Sequence, residues 1–491
     1  MAVAGLGTAV AATAAPRWSQ QQAWDWYNRQ PWLVGCNFLP STAINDTEMW
    51  QEETFDAETI DRELGWAQKL GYNSCRVFLQ YIVWRADPDG FKRRFERFLS
   101  IAGKHGMTVM PIFFDDCAFA GKEPYPGRQD DAVPGVHNSG WVPSPGAKLV
   151  ADRNAWPDLE KYIKDMLKQF GQDKRIVIWD LYNEPSRTES LPLVEAAFRW
   201  AREASPSQPL TTCIFGPGEL PRRIEELSDV ISFHNYNDLA SLRNEITARR
   251  QLGRPVVCTE WMCRGQNSRF ESHLPVFRRE KVGCYNWGLV AGKTQTYYPW
   301  GSPKGAPEPK LWHHDVLRKD GSPFDPGELL IIGQYTDVVR VRDVVPVAER
   351  PTIEWSYCLE KPDNSWPRLD FDDSRWPRGL APFGVREPQF SRDPATEWKT
   401  PDIWLRRNVE LPEARPEELC VRIYHDDDAE VYINGVLAAR AEGFSVGYRL
   451  VRVLPEAAAS IRRGRNVVAV HCRQTTGGQY IDVGIVEASS R

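Results

Sequence analysis

Two short segments end in acids placed where they could do chemistry. In Ile176-Val177-Ile178-Trp179-Asp180-Leu181-Tyr182-Asn183-Glu184-Pro185 an apolar run closes on Asn-Glu-Pro. Proline has no N–H to give a ladder, so the run stops at Pro185 and Glu184 stands at its end. In Pro255-Val256-Val257-Cys258-Thr259-Glu260-Trp261 a second apolar run closes on a Glu followed by Trp. Taken singly, the first motif can be a turn and the second a solvated strand end. Brought to one mouth, the two carboxyls have a joint use: one protonates a departing oxygen while the other acts on the carbon it leaves, as glycosidic bond cleavage requires.

A scaffold that brings two strand ends together is legible around them. Candidate strands run over Trp32–Asn37, Asn73–Leu79, Thr108–Phe113, Ile176–Leu181, Leu210–Phe215, Val230–Phe233, Pro255–Thr259 and Gly283–Trp287. Helix-like stretches lie between them. Thr59–Leu70 sets Ile60, Leu64 and Ala67 on one face, and Leu159–Phe170 repeats Ile163, Met166, Leu167 and Phe170 at helical spacing. Eight β-then-α units in roughly 300 residues predict an α/β fold, a (β/α)₈ barrel. The strands read as near-continuous apolar runs, as parallel strands buried on both faces should. Glu184 then ends the fourth strand and Glu260 the seventh, on the face where barrel active sites form. Two long connections, Phe114–Ala155 and Gly288–Asp325, follow the third and eighth strands on that face. Structureless stretches of that length in a compact domain are usually functional or disordered. Within the second, His313 and His314 are neighbours and cannot chelate from one strand face; they are expected to be loop residues lining a subsite.

After about residue 340 the helical period ends and short alternating segments take over: Leu405–Leu411, Leu419–Tyr424, Ala429–Ile433, Arg449–Val453 and Asn466–His471, with the turn dipeptide Asn434-Gly435 between apolar runs. An antiparallel β-sandwich, or jelly roll, is expected. The predicted division is a leader at 1–16, a catalytic barrel at 17–340 and a sandwich at 341–491. The leader is Ala-rich and Ala12-Thr13-Ala14 fits a signal cleavage site, but the positive n-region is missing. It reads as the tail of an export signal whose start codon was placed too late, which predicts a periplasmic or extracellular protein; a disordered N-terminus is the alternative.

Composition narrows the partners. A net charge of −5 with no basic block argues against nucleic acid. No apolar run approaches the roughly 18 residues of a membrane span. Trp is as frequent as Phe, 20 of each, which suits either large cores or stacking on sugar rings. None of the ten Cys forms a CxxC; Cys36, Cys75, Cys213, Cys258 and Cys284 lie in strand-like runs and read as buried thiols.

With these motifs in place, the segment from about 30 to 335 resembles the clan A glycoside hydrolases, particularly family five, whose cellulases and β-mannanases share this barrel. The resemblance implies that Glu184, preceded by Asn183, is the acid/base and Glu260 the nucleophile. It implies that Arg76, in Gly71-Tyr72-Asn73-Ser74-Cys75-Arg76-Val77, steadies Glu260. His234 and Tyr236 match a His-x-Tyr ending strand six, and Trp287 matches the Trp that floors the scissile sugar's subsite. Asn183 would bond the sugar 2-OH. Many members carry a His after strand three, where this chain has Phe114-Asp115-Asp116-Cys117. Asp115 or Asp116 is the candidate for binding sugar hydroxyls there; a helix cap or loop turn uses the same residue type. The implied reaction is double displacement with retention on a carbohydrate substrate, without metal or cofactor.

The C-terminal segment resembles the galactose-binding-like sandwich of family two glycosidases, through Phe371-Asp372-Asp373-Ser374-Arg375-Trp376, Trp404-Leu405-Arg406-Arg407, Val431-Tyr432-Ile433-Asn434-Gly435 and Gly464-Arg465-Asn466-Val467-Val468-Ala469-Val470. It is expected to pack on the barrel and lend a loop to the cleft, or else to bind sugar itself. If the two long loops wall off one end of the cleft, attack is exo or on short oligosaccharides; an open groove means endo action. An α-L-arabinofuranosidase of the same clan and a non-catalytic carbohydrate-binding protein are the competing readings.

Overall fold

The computed structural model describes residues 15–187, 189–214, 218–349, 353–388, 390, 392–411 and 418–491. Up to residue 14 the stretch read as a leader lies outside these residues, as does Phe215 at the end of the fifth expected strand.

Eight parallel strands form the barrel: β1 Val34–Asn37, β2 Ser74–Phe78, β3 Thr108–Asp115, β4 Trp179–Asn183, β5 in two pieces (Leu210–Thr211 and Cys213–Ile214), β6 Ile231–Asn235, β7 Val256–Trp261 and β8 Gly283–Trp287. The first piece of β5 pairs with β4 and the second with β6. One interrupted strand therefore bridges β4 and β6 and nearly closes the circle. Each strand leads to a helix: α1 Ala57–Lys69, α2 Pro88–Lys104, α3 Trp156–Phe170, α4 Ser190–Ala204, α5 Glu219–Leu227, α6 Leu239–Arg250, α7 Phe270–Glu280 and α8 Pro326–Tyr335. Local chemistry starts them where it should. Asp56 and Asp87 cap α1 and α2 by accepting from the N–H groups of Thr59 and Gly90, and Pro88 and Pro326 fill first-turn positions that need no donor. On α3 a continuous stripe of Leu159, Tyr162, Ile163, Met166, Leu167 and Phe170 is buried against the sheet. A helix before the barrel, Gln20–Asn28, closes its lower end, where Tyr27 packs with Met110, Ile178, Val257 and Tyr285.

Four of the eight strands extend further toward their C-termini than the apolar runs suggested. β3 reaches Asp115, β4 reaches Asn183, β6 reaches Asn235 and β7 reaches Trp261. The polar residues that the hydrophobic pattern treats as loop are still paired in the sheet, and that pairing fixes their height: Asn37 is level with Arg76 and with Trp287, Asp115 with Asn183, and His234 with Glu260. Register shifts between Phe233 and His234, and between Cys258 and Trp261, put a bulge in β7 that re-aims Glu260.

The sandwich has two six-stranded sheets. One is built around Tyr480–Ser490, paired with Val339–Val345 and Leu419–Asp426; the other around Gly464–Arg473, paired with Asp402–Leu411 and Asp428–Ile433. Asn434 and Gly435, at φ 52° and 89°, make the hairpin that the Asn-Gly pair predicts. The sandwich docks on α7 and α8. Cys420, Leu450, Val486 and Ala488 join the barrel's own hydrophobic core. At Gly327 a Cβ would lie 2.5 Å from the Leu450 carbonyl, so the first turn of α8 sits directly on the sandwich backbone. Arg449 pairs with Asp325 beside it. All ten cysteines are free thiols.

Candidate active site

The floor of the barrel mouth is built around Arg76. Its guanidinium, fully buried, donates to Asp180 (3.2 and 2.8 Å), Asn37 (2.8 Å), Asn183 (2.6 Å) and Glu260 Oε1 (2.7 Å). A cation in the middle of β2 thus ties together side chains from β1, β4 and β7. Asp180 and Asn37 complete its shell and were not singled out from sequence, because a polar residue inside a strand gives no signal of its own. Tyr236 donates to Glu260 Oε2 at 2.7 Å, so both oxygens of Glu260 are held.

Glu184 faces Glu260 from β4. His234 Nδ1 lies between them, 2.7 Å from Glu184 Oε1 and 3.4 Å from Glu260 Oε2. The Cys117 thiol donates to Glu184 Oε2 at 3.2 Å. Glu184 has φ 41°, a left-handed backbone that costs a non-glycine residue energy and must be held from outside. Three hydrogen bonds hold it. Cys213 Sγ accepts the Glu184 N–H at 2.9 Å, and Asp116 accepts from the Ser186 N–H (2.9 Å) and the Ser190 hydroxyl (2.6 Å).

Asp116 therefore does not meet the expectation of a sugar ligand. Tyr182 donates to its other oxygen at 2.7 Å, and all three bonds brace the turn behind Glu184. Asp115 is corrected in the same way. It is 1% exposed and accepts from Asn183 Nδ2 (2.9 Å), Trp141 Nε1 (2.7 Å) and the Cys117 N–H (3.0 Å). It positions Asn183 from behind. Burial pushes its carboxyl up to about 7 against those three donors. The other residues singled out from sequence, Asn183, Glu184, Tyr236, Glu260 and Trp287, line one cavity of about 280 Å³; His234 sits beneath its two glutamates.

The electrostatics centre on His234. Burial disfavours its charge, but Cys213, Glu260 and Glu184 outweigh burial and raise its pKa well above the usual imidazole range. Burial likewise pushes Glu184 up, and the hydrogen bond and charge of His234, with Cys117 and Arg76, bring it below the usual range. Glu260 stays raised: burial dominates, Glu184 adds to it, and His234, Arg76 and Tyr236 oppose. His234 thus couples the two carboxyls, one 2.7 Å contact from Glu184 and 3.4 Å from Glu260. No metal-ligand cluster shows in the sequence, yet the fold brings ligand-capable atoms of Glu184, His234 and Glu260 within 4.8 Å of one another. Arg76, Tyr236 and the His234 contact already occupy those carboxylates.

The wall of the cavity comes from the two long loops, as their length predicted, and they bond to each other. The N–H of Asn138 donates to the Thr294 carbonyl (2.8 Å), that of Gly135 to Gln295 Oε1 (3.0 Å) and that of Gly305 to the Pro134 carbonyl (2.7 Å). Phe119, His137, Asn138 and Trp141 from the first loop and Trp300 and His314 from the second line the cavity. His313 instead packs behind Trp300, with ring centroids 4.5 Å apart. Arg264, buried beside β7, clamps the second loop. It donates to the carbonyls of Trp312, His314 and Asp315 and forms a two-point ion pair with Glu328 of α8 (2.7 and 2.6 Å). Among the described residues no side chain of the sandwich lines the cavity, so the expected loan of a loop to the cleft is not seen.

A carboxylate pair on a (β/α)₈ barrel, with a buried arginine beneath it, is the class of site that fold and geometry define. No family model matches the chain, and no curated protein matches it. Among solved structures, it is similar to a GH5_18 protein from Streptomyces cattleya in complex with GlcNAc (12% identity, 62% of this chain and 80% of that chain, TM-score 0.44). It is also similar to an exo-beta-1,4-mannosidase from Opitutaceae bacterium strain TAV5 (18% identity, 62% and 59%, TM-score 0.43). A third is an endo-beta-1,4-mannanase from Thermotoga petrophila (12% identity, 93% and 98%, TM-score 0.45).

Proposed function

We propose that this chain is a retaining glycoside hydrolase that acts on the ends of β-linked glycans or on short oligosaccharides, with Glu260 as nucleophile and Glu184 as acid/base. The observation that carries the reading is the spacing of the pair. Oxygens of Glu184 and Glu260 come within 4.8 Å, whereas inverting pairs stand roughly 6.5–9.5 Å apart to admit a water. In the first step a Glu260 oxygen bonds to the anomeric carbon as the glycosidic C–O bond breaks. The departing oxygen takes a proton from Glu184, which is supplied through His234. In the second step Glu184, now a carboxylate, takes a proton from water. The water oxygen bonds to the anomeric carbon and the ester to Glu260 breaks. Arg76 and Tyr236 orient Glu260 for attack and stabilise it when it leaves. Asn183, with Oδ1 on Arg76 and Nδ2 on Asp115, is positioned beside the reacting centre for the sugar 2-OH.

Exo action is supported by the two loops, which bond to each other and both line the cavity. Glu260→Ala should fold and lose turnover on aryl glycosides, and azide should restore part of it with a glycosyl azide of inverted anomeric configuration. Undiminished hydrolysis in that variant would overturn the assignment. On a polymer the wild type should release monosaccharide from the first minutes while viscosity stays high; an early spread of oligosaccharides would show the cleft is open.

A further inference from the structure

Among the described residues the sandwich lends no side chain to the cavity, yet a line of polar contacts runs from the sandwich to the cavity wall. It begins at Arg449, in the sandwich strand Arg449–Arg452. Arg449 pairs with one oxygen of Asp325. The other oxygen of Asp325 caps α8 by accepting from the Gly327 N–H at 2.8 Å. In the same first turn Glu328, only 7% exposed, accepts from the Arg264 guanidinium at 2.7 and 2.6 Å. Arg264 stands four positions after Glu260 and holds the second long loop by its backbone. Its N–H donates to the His313 carbonyl (3.1 Å), and its guanidinium donates to the carbonyls of Trp312 (3.2 Å), His314 and Asp315 (3.1 Å). One residue therefore fixes four consecutive carbonyls, and His314 among them lines the cavity.

A second route from the sandwich reaches the same arginine. The Arg264 carbonyl accepts from Arg269 Nε at 3.2 Å. Arg269 in turn donates to the Phe444 carbonyl of the sandwich (3.3 Å) and lies over the Phe444 ring, 5.0 Å from its centroid. Nearby, a Cβ on Gly447 would come within 2.7 Å of the Glu271 carbonyl, so a sandwich loop rests on α7 much as α8 rests on Leu450. Both ends of Arg264, its carbonyl and its guanidinium, are thus steadied from the sandwich side. A buried guanidinium has no water to replace a displaced partner, so its direction follows its fixed acceptors. Glu328 is the charged one among them, and the seat of α8 on the sandwich sets where Glu328 stands.

We infer that Arg449 is a positioning residue for the glycosidase reaction: the sandwich is a strut that seats α8, and α8, through Glu328 and Arg264, sets segment 312–315 at the cavity wall. The sandwich contributes to substrate fit without touching substrate. The inference rests on the glycosidase reading for its kinetic consequence, but the state of the wall can be read without turnover.

The test uses the full-length chain carrying Arg449→Met. Arg449→Lys keeps the charge, and Arg440→Met, which removes a surface pair with Glu430 on the other sheet, is the control. Amide exchange is followed by mass spectrometry over residues 312–317, where the N–H groups of His313, Val316 and Leu317 donate to the Tyr297 and Leu289 carbonyls, and over the floor strands β3 and β4. Arg449→Met should speed exchange in the wall segment about tenfold and leave the floor strands as in the wild type. On an aryl glycoside KM should rise about tenfold while kcat stays within about threefold, because the wall serves binding and the carboxylate pair is undisturbed. Arg449→Lys should restore both, and Arg440→Met should change neither. Should Arg449→Met fail to fold, Asp325→Asn removes the same charge pair while keeping an oxygen for the Gly327 N–H, and the same pattern is expected of it. Exchange and KM as in the wild type would overturn the inference. So would faster exchange spread evenly over wall and floor, which would mark general loosening. If the unmodified enzyme hydrolyses no glycoside but the faster exchange stays confined to the wall, the glycosidase reading falls and the strut stands.

Discussion

The floor and the wall of the cavity solve opposite problems. The floor is charged and nearly saturated: Arg76 bonds Glu260, Asp180, Asn183 and Asn37, and His234 and Cys117 hold Glu184 beside them. The wall is largely aromatic and carries no Lys or Arg among the described residues, on loops fixed by backbone bonds to each other and by the Arg264 clamp. A reacting centre needs groups held still before substrate arrives, because reorganisation during the reaction costs rate. A recognition surface needs apolar area held in shape for a ligand to fill.

The comparison breaks first at Arg76. Arg76→Met leaves Asp180 and Glu260 buried without their cation. Stability should fall by about 3–5 kcal/mol, read by chemical denaturation. Turnover should fall by about 10³-fold, some 4 kcal/mol of barrel-floor stabilisation, read as kcat on an activated aryl glycoside. A wall variant should show no such joint loss.

His234→Asn gives the next largest effect, in the pH profile. With imidazole in place, the shared proton is retained to high pH because His234 is raised, and Glu260 is kept from rising further by the same positive charge. Without it, the alkaline limb depends on Glu184 alone, a weaker base than the buried imidazole, and moves down. The acid limb depends on Glu260, which loses an opposing charge, and moves up. The bell of kcat/KM against pH should narrow from both sides. A profile shifted bodily without narrowing would mean that His234 does not share the proton.

The smallest effect is expected where wall meets floor. Trp141 lines the cavity and also donates to Asp115, which holds Asn183. Trp141→Phe keeps the ring and removes one bond, worth about 1–1.5 kcal/mol, so kcat/KM should fall about tenfold. A loss mostly in kcat places the effect on the floor through Asn183; a loss mostly in KM places it on the wall.

The same division explains what the sequence could disclose. Floor residues end strands, and a strand ending in an acid is visible because the apolar run before it has a period and a stop. Glu184 and Glu260 were read that way; Arg76, His234 and Tyr236 came only from the family resemblance. Wall residues are set by contacts between loops more than 150 positions apart, such as Asn138 with Thr294, and no local pattern marks them. Asp115 and Asp116 stayed open between sugar binding and a structural turn because a carboxylate facing the cleft and one facing its own backbone look alike in sequence. In the sandwich, Tyr480–Ser490 escaped notice since its buried run includes Asp482 and Gly484, which break the apolar signal. Gly484 is required there: a Cβ would lie 2.4 Å from the Val345 carbonyl of the strand paired beside it.

The close seat of α8 on the sandwich has one more consequence. A binding module on a flexible tether raises local substrate concentration by searching a volume set by its linker. Here only Thr336, Asp337 and Val338 separate α8 from the first sandwich strand, and Gly327 lies against Leu450 with no room for a methyl group. The two domains have no volume to search relative to each other. A glycan held anywhere on the sandwich would reach the catalytic mouth at one fixed distance and angle, so such a site would work as a ruler for chain length rather than as an anchor.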